Sequence, residues 1–139
     1  MTASLLFGDV LKCIEGVELL SDLYDTSVTA IDSYFTLIKS PEYSEMYQTR
    51  IICPIQPYEG DFSSEKSVAG WTNADIVFAN STCFNSLLMN QIAHNAVKMR
   101  PGSRLITFTS QLPSEAFKVT DKVNLGMSWG VATCYIHLR

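Results

Sequence analysis

The chain has 139 residues, of which 47% are hydrophobic and 17% are charged, and its formal net charge is −4 at pH 7. This composition is typical of a globular domain and not of a disordered chain, and no apolar run approaches the roughly 20 residues of a membrane-spanning helix. Lysine and arginine are not clustered, which argues against a nucleic-acid-binding patch on this chain.

The predicted elements begin with the end of a helix, or a stub of one, at residues 5–11, and continue with a short strand and a long helix. Apolar residues around Gly16 end on the acidic Glu18, which predicts a strand with a carboxylate at its tip. At the tip of the second strand of a dinucleotide-type fold, an acid can accept hydrogen bonds from both ribose hydroxyls of an adenosine. Glu18 is therefore a candidate site residue, with a solvated strand end as the alternative. From Ser21, an apolar stripe predicts a helix that Pro41 ends, followed by a polar connection over residues 41–48.

A predicted strand at residues 50–55 is followed by a turn with an acid and an aromatic ring. Prolines within and after this strand confine it to a sheet edge or end it early. Gly60 permits a tight turn, which places Asp61 and Phe62 just past a strand end. An aromatic ring can stack on a purine while a carboxylate accepts from its exocyclic amine, and an ordinary surface turn is the alternative. A short helix is predicted from residue 63 to residue 70.

The centre of the chain predicts a βαβ unit. Residues 76–79 and 104–109 are apolar at successive positions, as in parallel strands that are covered on both faces. A helix capped by Asn85 or Ser86 lies between them. Because ligands of open α/β sheets collect beyond the carboxyl ends of the strands, Asn80 is a candidate site residue.

The end of the chain predicts a hairpin. Residues 117–139 contain two strands that turn near residues 124–126 and form an antiparallel pair at a sheet edge. Helices alternating with strands, followed by this hairpin, predict an α/β fold in one domain.

The spacing of cysteines and histidines argues against a metal site and against a disulfide framework. The cysteines lie far apart with no C-x-x-C pair, so we predict four buried free thiols. The two histidines are too few and too separated for zinc. No basic region precedes the apolar patch at the amino terminus, which favours an intracellular protein. The cysteines and histidines in question are Cys13, Cys53, Cys83, Cys134, His94 and His137.

Four segments, taken in order, resemble one known family. The segments are GVE, GDF, DIVFANSTCF and MRPGSRLITF. Together they resemble the catalytic domain of the Dot-one family (disruptor of telomeric silencing), the non-SET histone-lysine methyltransferases. The resemblance covers nearly all of the chain and is strongest from Tyr58 to Ser110. It implies the class I S-adenosylmethionine-dependent methyltransferase fold, a Rossmann-like, doubly wound sheet with an antiparallel C-terminal hairpin.

The resemblance also assigns roles to single residues. Glu18 would bind the ribose of S-adenosyl-L-methionine, Asp61 would meet the adenine amine, and Phe62 would pack on the adenine ring. Asn80 would lie where the methionine end of the cofactor meets the substrate lysine. Phe84 would help to wall the lysine channel.

This sequence departs from the family pattern in two ways. Ser81 stands where related enzymes carry a second asparagine, and Thr82 stands where they carry an aromatic residue. In addition, nothing before Glu18 supplies the D-x-G-x-G-like loop that wraps the methionine part of the cofactor. The first strand of the fold, central in its sheet between the second and the fourth, is missing with that loop. We therefore expect residues 1–139 to be the C-terminal part of a methyltransferase catalytic domain.

The function expected from this resemblance is S-adenosylmethionine-dependent methylation of a histone lysine. The substrate would be nucleosomal histone H-three, the partner would be the nucleosome, and the protein would act on chromatin in the nucleus without a metal. Two alternatives stay open. One is an inactive remnant or interaction module that keeps the sheet without the chemistry. The other is a class I methyltransferase that acts on a different protein or on a small molecule.

Overall fold

The computed structural model of the chain describes residues 1–43 and 50–139. Two compact units divide the chain, Met1–Phe62 and Ser63–Arg139, and each is described by itself. The first unit contains α1 (Thr2–Phe7), β1 (Ile14–Glu18), α2 (Ser21–Lys39) and β2 (Ile55–Glu59). The second unit contains α3 (Glu65–Trp71), β3 (Ile76–Ala79), α4 (Ser86–Ala96), β4 (Arg104–Phe108), β5 (Lys118–Met127) and β6 (Gly130–Leu138). This mixture of helices and strands confirms the α/β class. Within the described ranges, no helix combines the length and the apolar character needed to cross a bilayer.

In the first unit, β1 and β2 form a parallel pair. Ile14 pairs with Ile55 and Glu18 pairs with Glu59, so the two strands end at the same edge. The predicted strand that ends on Glu18 is confirmed. The predicted helix is also confirmed, since α2 begins at Ser21 and packs against both strands.

The proline after α2 begins a new helical turn, in addition to marking the end of α2. α2 stops at Lys39, and Ser40 takes an extended conformation with ψ 151°. Residues 41–43 are helical again, because the fixed φ of Pro41 suits the first position of a helix. The predicted polar connection therefore begins with a helical turn at residues 41–43, and its remainder, residues 44–48, lies outside the described residues.

The strand predicted at residues 50–55 is wrong except for its last residue, and contacts with α1 and with Gly8, which follows α1, explain why. The hydroxyl of Ser4 donates a hydrogen bond of 2.7 Å to the carbonyl oxygen of Cys53. Gly8 comes so close that a Cβ added to it would lie 1.9 Å from the carbonyl oxygen of Ile51. The carbonyl oxygen of Cys53 is thus bonded to α1, and pairing with β1 starts only at Pro54, whose carbonyl oxygen accepts a hydrogen bond of 2.9 Å from the N–H of Ile14. β2 therefore begins only at the last residue of the predicted strand.

The second unit contains a four-stranded sheet in the order β3-β4-β6-β5. β3 and β4 are parallel and are connected through α4, which confirms the predicted βαβ unit. The side chain of Asn85 caps α4 by accepting a hydrogen bond of 3.0 Å from the backbone N–H of Leu88. One face of α4 is buried, as its apolar periodicity predicts, and the buried residues are Met89, Ile92, Ala93 and Ala96.

β3 lies at an edge of this sheet, and one of its faces is open. Among the described residues it pairs with β4 alone. Ile76 is 55% exposed and Phe78 is 62% exposed, so the prediction that this strand is covered on both faces is wrong. The ring of Phe78 still makes an edge-to-face contact with Phe108, with 5.4 Å between the centroids.

The C-terminal hairpin is confirmed, but it turns later than predicted. β5 and β6 are antiparallel, and their register runs from Lys118 opposite Leu138 to Met127 opposite Gly130. Residues 124–126 therefore lie inside β5 and do not form the turn. Gly130 has φ 143°, a backbone conformation that side chains with a Cβ rarely adopt, and it follows the turn directly.

A buried histidine joins β4, β6 and the segment that follows β4. His137 is 0% exposed. Its Nδ1 lies 2.9 Å from the carbonyl oxygen of Leu105, and its Nε2 lies 3.0 Å from the backbone nitrogen of Leu112. Because a carbonyl only accepts and an amide N–H only donates, Nδ1 carries the hydrogen and Nε2 is the acceptor. Burial lowers the pKa of His137, against the opposing effect of its hydrogen bond to Leu105.

The cysteines form two classes. Cys53 and Cys134 are buried, Cys13 and Cys83 are exposed, and all are free thiols. The prediction of buried thiols is therefore right for two of the four and wrong for the other two. In the part of the chain that the structure describes, no group of at least three His, Cys, Asp or Glu side chains is placed to hold a metal ion.

Candidate functional site

The carboxyl edge of the β1–β2 pair carries two acids beside the start of α2. Glu18 Oε1 accepts a hydrogen bond of 3.0 Å from the backbone N–H of Leu20. Glu59, its register partner, accepts one from the hydroxyl of Ser21. Both carboxylates thus lie at the amino end of a helix, where unpaired N–H groups and the helix dipole favour negative charge. Glu18 is also half-exposed, which leaves it accessible to a ligand.

Asp61 and Phe62 follow at the same edge of the first unit. The N–H of Gly60 donates a hydrogen bond of 2.8 Å to the carbonyl oxygen of Glu18, which fastens the turn after β2 to the tip of β1. Asp61 is exposed and Phe62 is half-buried. The structure therefore brings Glu18, Asp61 and Phe62 to one edge of the parallel pair. Carboxylates and an aromatic ring are groups that can accept from ribose hydroxyls and stack on a purine.

Asn80 and Phe84 lie on the turn that joins β3 to α4 in the second unit. Asn80 is exposed and directly follows β3. Its Oδ1 accepts a hydrogen bond of 3.4 Å from the hydroxyl of Thr82. Phe84 is half-buried, and its backbone N–H donates to the carbonyl oxygen of Ser81 at 3.1 Å. The turn therefore presents an amide and an aromatic ring at the carboxyl end of a parallel strand.

Sequence reasoning gave no role to Ser81 or to Glu59. Ser81 is 1% exposed and bonds to Phe108, which is 27 residues away, so no local pattern could have revealed it. Glu59 was missed because the strand before it was placed at residues 50–55. A signal for Glu59 did exist, since the tight turn expected at Gly60 implies a strand that ends one residue earlier.

The predicted site residues thus fall into two groups. Glu18, Asp61 and Phe62 belong to the first unit, and Asn80 and Phe84 belong to the second. Each group lies at the carboxyl ends of parallel strands, the usual ligand-binding edge of α/β proteins. Acids, rings and an amide suit the binding and orientation of a polar ligand, and the individual roles stay predictions.

These features define a mixed α/β protein with polar turns at the carboxyl ends of its parallel strands. A family model described as histone methylation protein DOT1 matches residues 16–128. The match spans most of the chain and includes all five predicted site residues. The chain therefore belongs to the DOT1 family of histone methylation proteins, which confirms the resemblance to the Dot-one family. A comparison with the curated proteins gives no match.

Proposed function

We propose that the chain is part of the catalytic domain of an enzyme that transfers a methyl group from S-adenosyl-L-methionine to a lysine of nucleosomal histone H-three, in the nucleus. The observation that carries this proposal is where the family match falls on the fold. The matched residues include the acidic tip of β1, the turn after β2 and the turn after β3. All three lie at the carboxyl ends of parallel strands.

The residues of the first unit fit the adenosine of this cofactor. The half-exposed carboxylate of Glu18 can accept hydrogen bonds from ribose hydroxyls. Asp61 can accept from the adenine amine, and the half-buried ring of Phe62 can pack on the adenine. When bound, the cofactor supplies an electrophilic methyl group on a sulfonium centre.

The residues of the second unit would act on the substrate lysine. A lysine amine must be neutral to attack, and at pH 7 its deprotonation costs roughly 4–5 kcal/mol for an ordinary pKa of about 10.4. An apolar channel that excludes water reduces this cost, because desolvation disfavours the charged ammonium. In this proposal the ring of Phe84 forms part of the channel wall, and the exposed amide of Asn80 orients the reactants.

The domain assignment is part of the proposal. We take residues 1–139 as the C-terminal part of a Rossmann-like, doubly wound class I domain. The sequence before Glu18 contains no D-x-G-x-G-like pattern. Among the described residues, β1 and β3 each pair with one neighbour only, which leaves an open edge on both parallel pairs. Both observations fit a domain whose glycine-rich loop and first strand lie in another segment.

Replacement of Asn80 by alanine tests this function. In a full-length protein, we expect Asn80→Ala to abolish methylation of nucleosomes while much of the affinity for S-adenosylmethionine remains, because Asn80 acts at the methyl-transfer step. The matched control is Asn90→Ala, which changes an exposed asparagine in the middle of α4 and should leave turnover intact. Turnover by Asn80→Ala at the wild-type rate would remove Asn80 from the mechanism.

Calorimetry with S-adenosylmethionine separates the proposal from an inactive remnant. An intact site binds the cofactor in the micromolar range, whereas a remnant or interaction module shows no heat of binding. The missing glycine-rich pattern is the observation that favours the remnant. A screen of nucleosomes, free histones and small acceptors then identifies the substrate, and turnover on small acceptors alone would assign the chain to another class I branch.

A further inference from the structure

The hydroxyl of Ser81 connects the carboxyl ends of β3 and β4. Ser81 is 1% exposed. Its Oγ donates a hydrogen bond of 2.9 Å to the carbonyl oxygen of Phe108 and accepts one of 2.8 Å from the backbone N–H of the same residue. A hydroxyl has one donor and two acceptor positions, so one side chain satisfies both backbone groups of Phe108. We name this pair of hydrogen bonds the Ser81 clamp.

The clamp fixes the backbone at Ser81, directly after Asn80. Directly before Asn80, Ala79 is paired with Thr107 in the β3–β4 ladder. The N–H of Ser81 also donates to the carbonyl oxygen of Ala79 at 2.8 Å, which closes a tight turn around Asn80. The side chain of Asn80 is exposed while its two neighbours are held, so the clamp sets the direction in which the amide projects.

The β4 side of the clamp is fixed as well. Thr109, the next residue after Phe108, has φ 67°, which is strained for a β-branched residue. Its N–H donates to the carbonyl oxygen of Thr133 at 2.8 Å, and the N–H of Ser110 donates to the carbonyl oxygen of Phe108 at 2.7 Å. A strained residue persists only where its surroundings determine it, so Phe108 offers Ser81 a rigid anchor.

We propose that Ser81 is a positioning residue for methyl transfer, which acts by holding Asn80 at the carboxyl end of β3. This inference rests on the function proposed for Asn80. Ser81 touches neither cofactor nor substrate in this role. Its loss should therefore lower kcat and leave the KM for S-adenosylmethionine nearly unchanged.

The test compares two serine-to-alanine variants whose hydroxyls act at opposite ends of β4. Ser81→Ala removes the clamp at the carboxyl end of β4. Ser103→Ala removes a hydroxyl that is 4% exposed and donates to the carbonyl oxygen of Arg100 at 2.7 Å, at the amino end of β4. Because misplacement by about 1 Å can cost about 100-fold in rate, we expect Ser81→Ala to lower kcat by about 10- to 100-fold. Ser103→Ala should keep kcat within about twofold, and Ser81→Thr, which retains the hydroxyl, should recover most of the rate.

Several outcomes would overturn the inference. These are an unchanged kcat in Ser81→Ala, equal losses in both alanine variants, or a Ser81→Ala defect confined to KM. If Ser81→Ala does not fold, Ser81→Cys replaces it, because cysteine has nearly the same volume and makes much weaker hydrogen bonds.

A spectroscopic measurement separates this inference from the proposed function. A wild-type chain that neither binds the cofactor nor turns over would refute the function of Asn80, not the clamp. In that case, NMR of the full chain tests whether Ser81 holds Asn80 and Phe108 in place. Ser81→Ala should shift the side-chain amide signals of Asn80 and speed hydrogen exchange at the Phe108 amide, and Ser103→Ala should do neither. Identical spectra for the two variants would overturn the clamp.

Discussion

His137 should make the stability of the protein depend on pH below about pH 6.5. Its Nδ1–H donates to Leu105 and its Nε2 accepts from the N–H of Leu112, so both ring nitrogens are satisfied in the neutral form. Protonation would place a second hydrogen on Nε2, facing the N–H of Leu112, donor against donor. At 0% exposure the ring has no access to water that could solvate the added charge.

The sign and size of this effect follow from proton linkage. Burial lowers the pKa of His137 in the folded state, whereas the unfolded chain keeps the ordinary value of about 6.5. The contribution of His137 is therefore fully present above the unfolded pKa. As the pH falls below that value, the unfolded state takes up a proton that the folded state does not. The free energy of unfolding then falls with a slope that approaches about 1.4 kcal/mol per pH unit for one proton.

Urea denaturation followed by tryptophan fluorescence measures this slope. We would compare the wild type with His137→Gln and His94→Gln between about pH 5.5 and about pH 7.5, where ordinary carboxylates stay ionised. His137→Gln should lose the slope because it carries no titrating ring. His94→Gln, which changes an exposed residue of α4, should keep it. Parallel profiles for the wild type and His137→Gln would refute the reasoning.

Two further substitutions test the packing of each unit. Gly8→Ala should destabilise the first unit by about 1–3 kcal/mol, because its Cβ would lie 1.9 Å from the carbonyl oxygen of Ile51. Gly16→Ala, whose Cβ meets nothing within 4 Å, should cost little, and equal denaturation midpoints for the two variants would contradict the close approach. Asn85→Ala should lower the free energy of unfolding by about 1 kcal/mol through loss of the α4 cap, and an unchanged midpoint would rule out the cap.

Local patterns predicted much of the fold. The start of α2, the cap of α4 and the β3–α4–β4 unit depend on caps and periodicity within a few residues, and each was predicted at or near its observed position. The strand at residues 50–55 failed for a nonlocal reason. Its apolar composition suits a strand, but its backbone is in contact with Ser4 of α1 and with Gly8 just after α1, 40 or more residues earlier in the chain.

The same distinction applies to the candidate site. Glu18, Asp61 and Asn80 could be selected because acids and amides directly after apolar strands mark the ligand edge of an α/β sheet. Ser81 could not be selected, because its partner is Phe108, and that contact is set by the pairing of two strands. The exposure of Phe78 could not be predicted either. A run of apolar residues indicates that a strand can be buried, but it does not indicate which elements of the fold cover the strand.

The exposed thiol of Cys83 provides a site for covalent labelling on the turn after β3. Cys83 lies three residues after Asn80, whereas the thiols of Cys53 and Cys134 are shielded from reagents in solution. Maleimide dyes should therefore modify Cys83 and the other exposed thiol, Cys13, long before the shielded pair. A Cys13→Ser background would then carry a single fast-reacting position, and a fluorophore there would report on ligands that approach the amide of Asn80. The same reactivity means that samples for kinetics should be kept under a reductant.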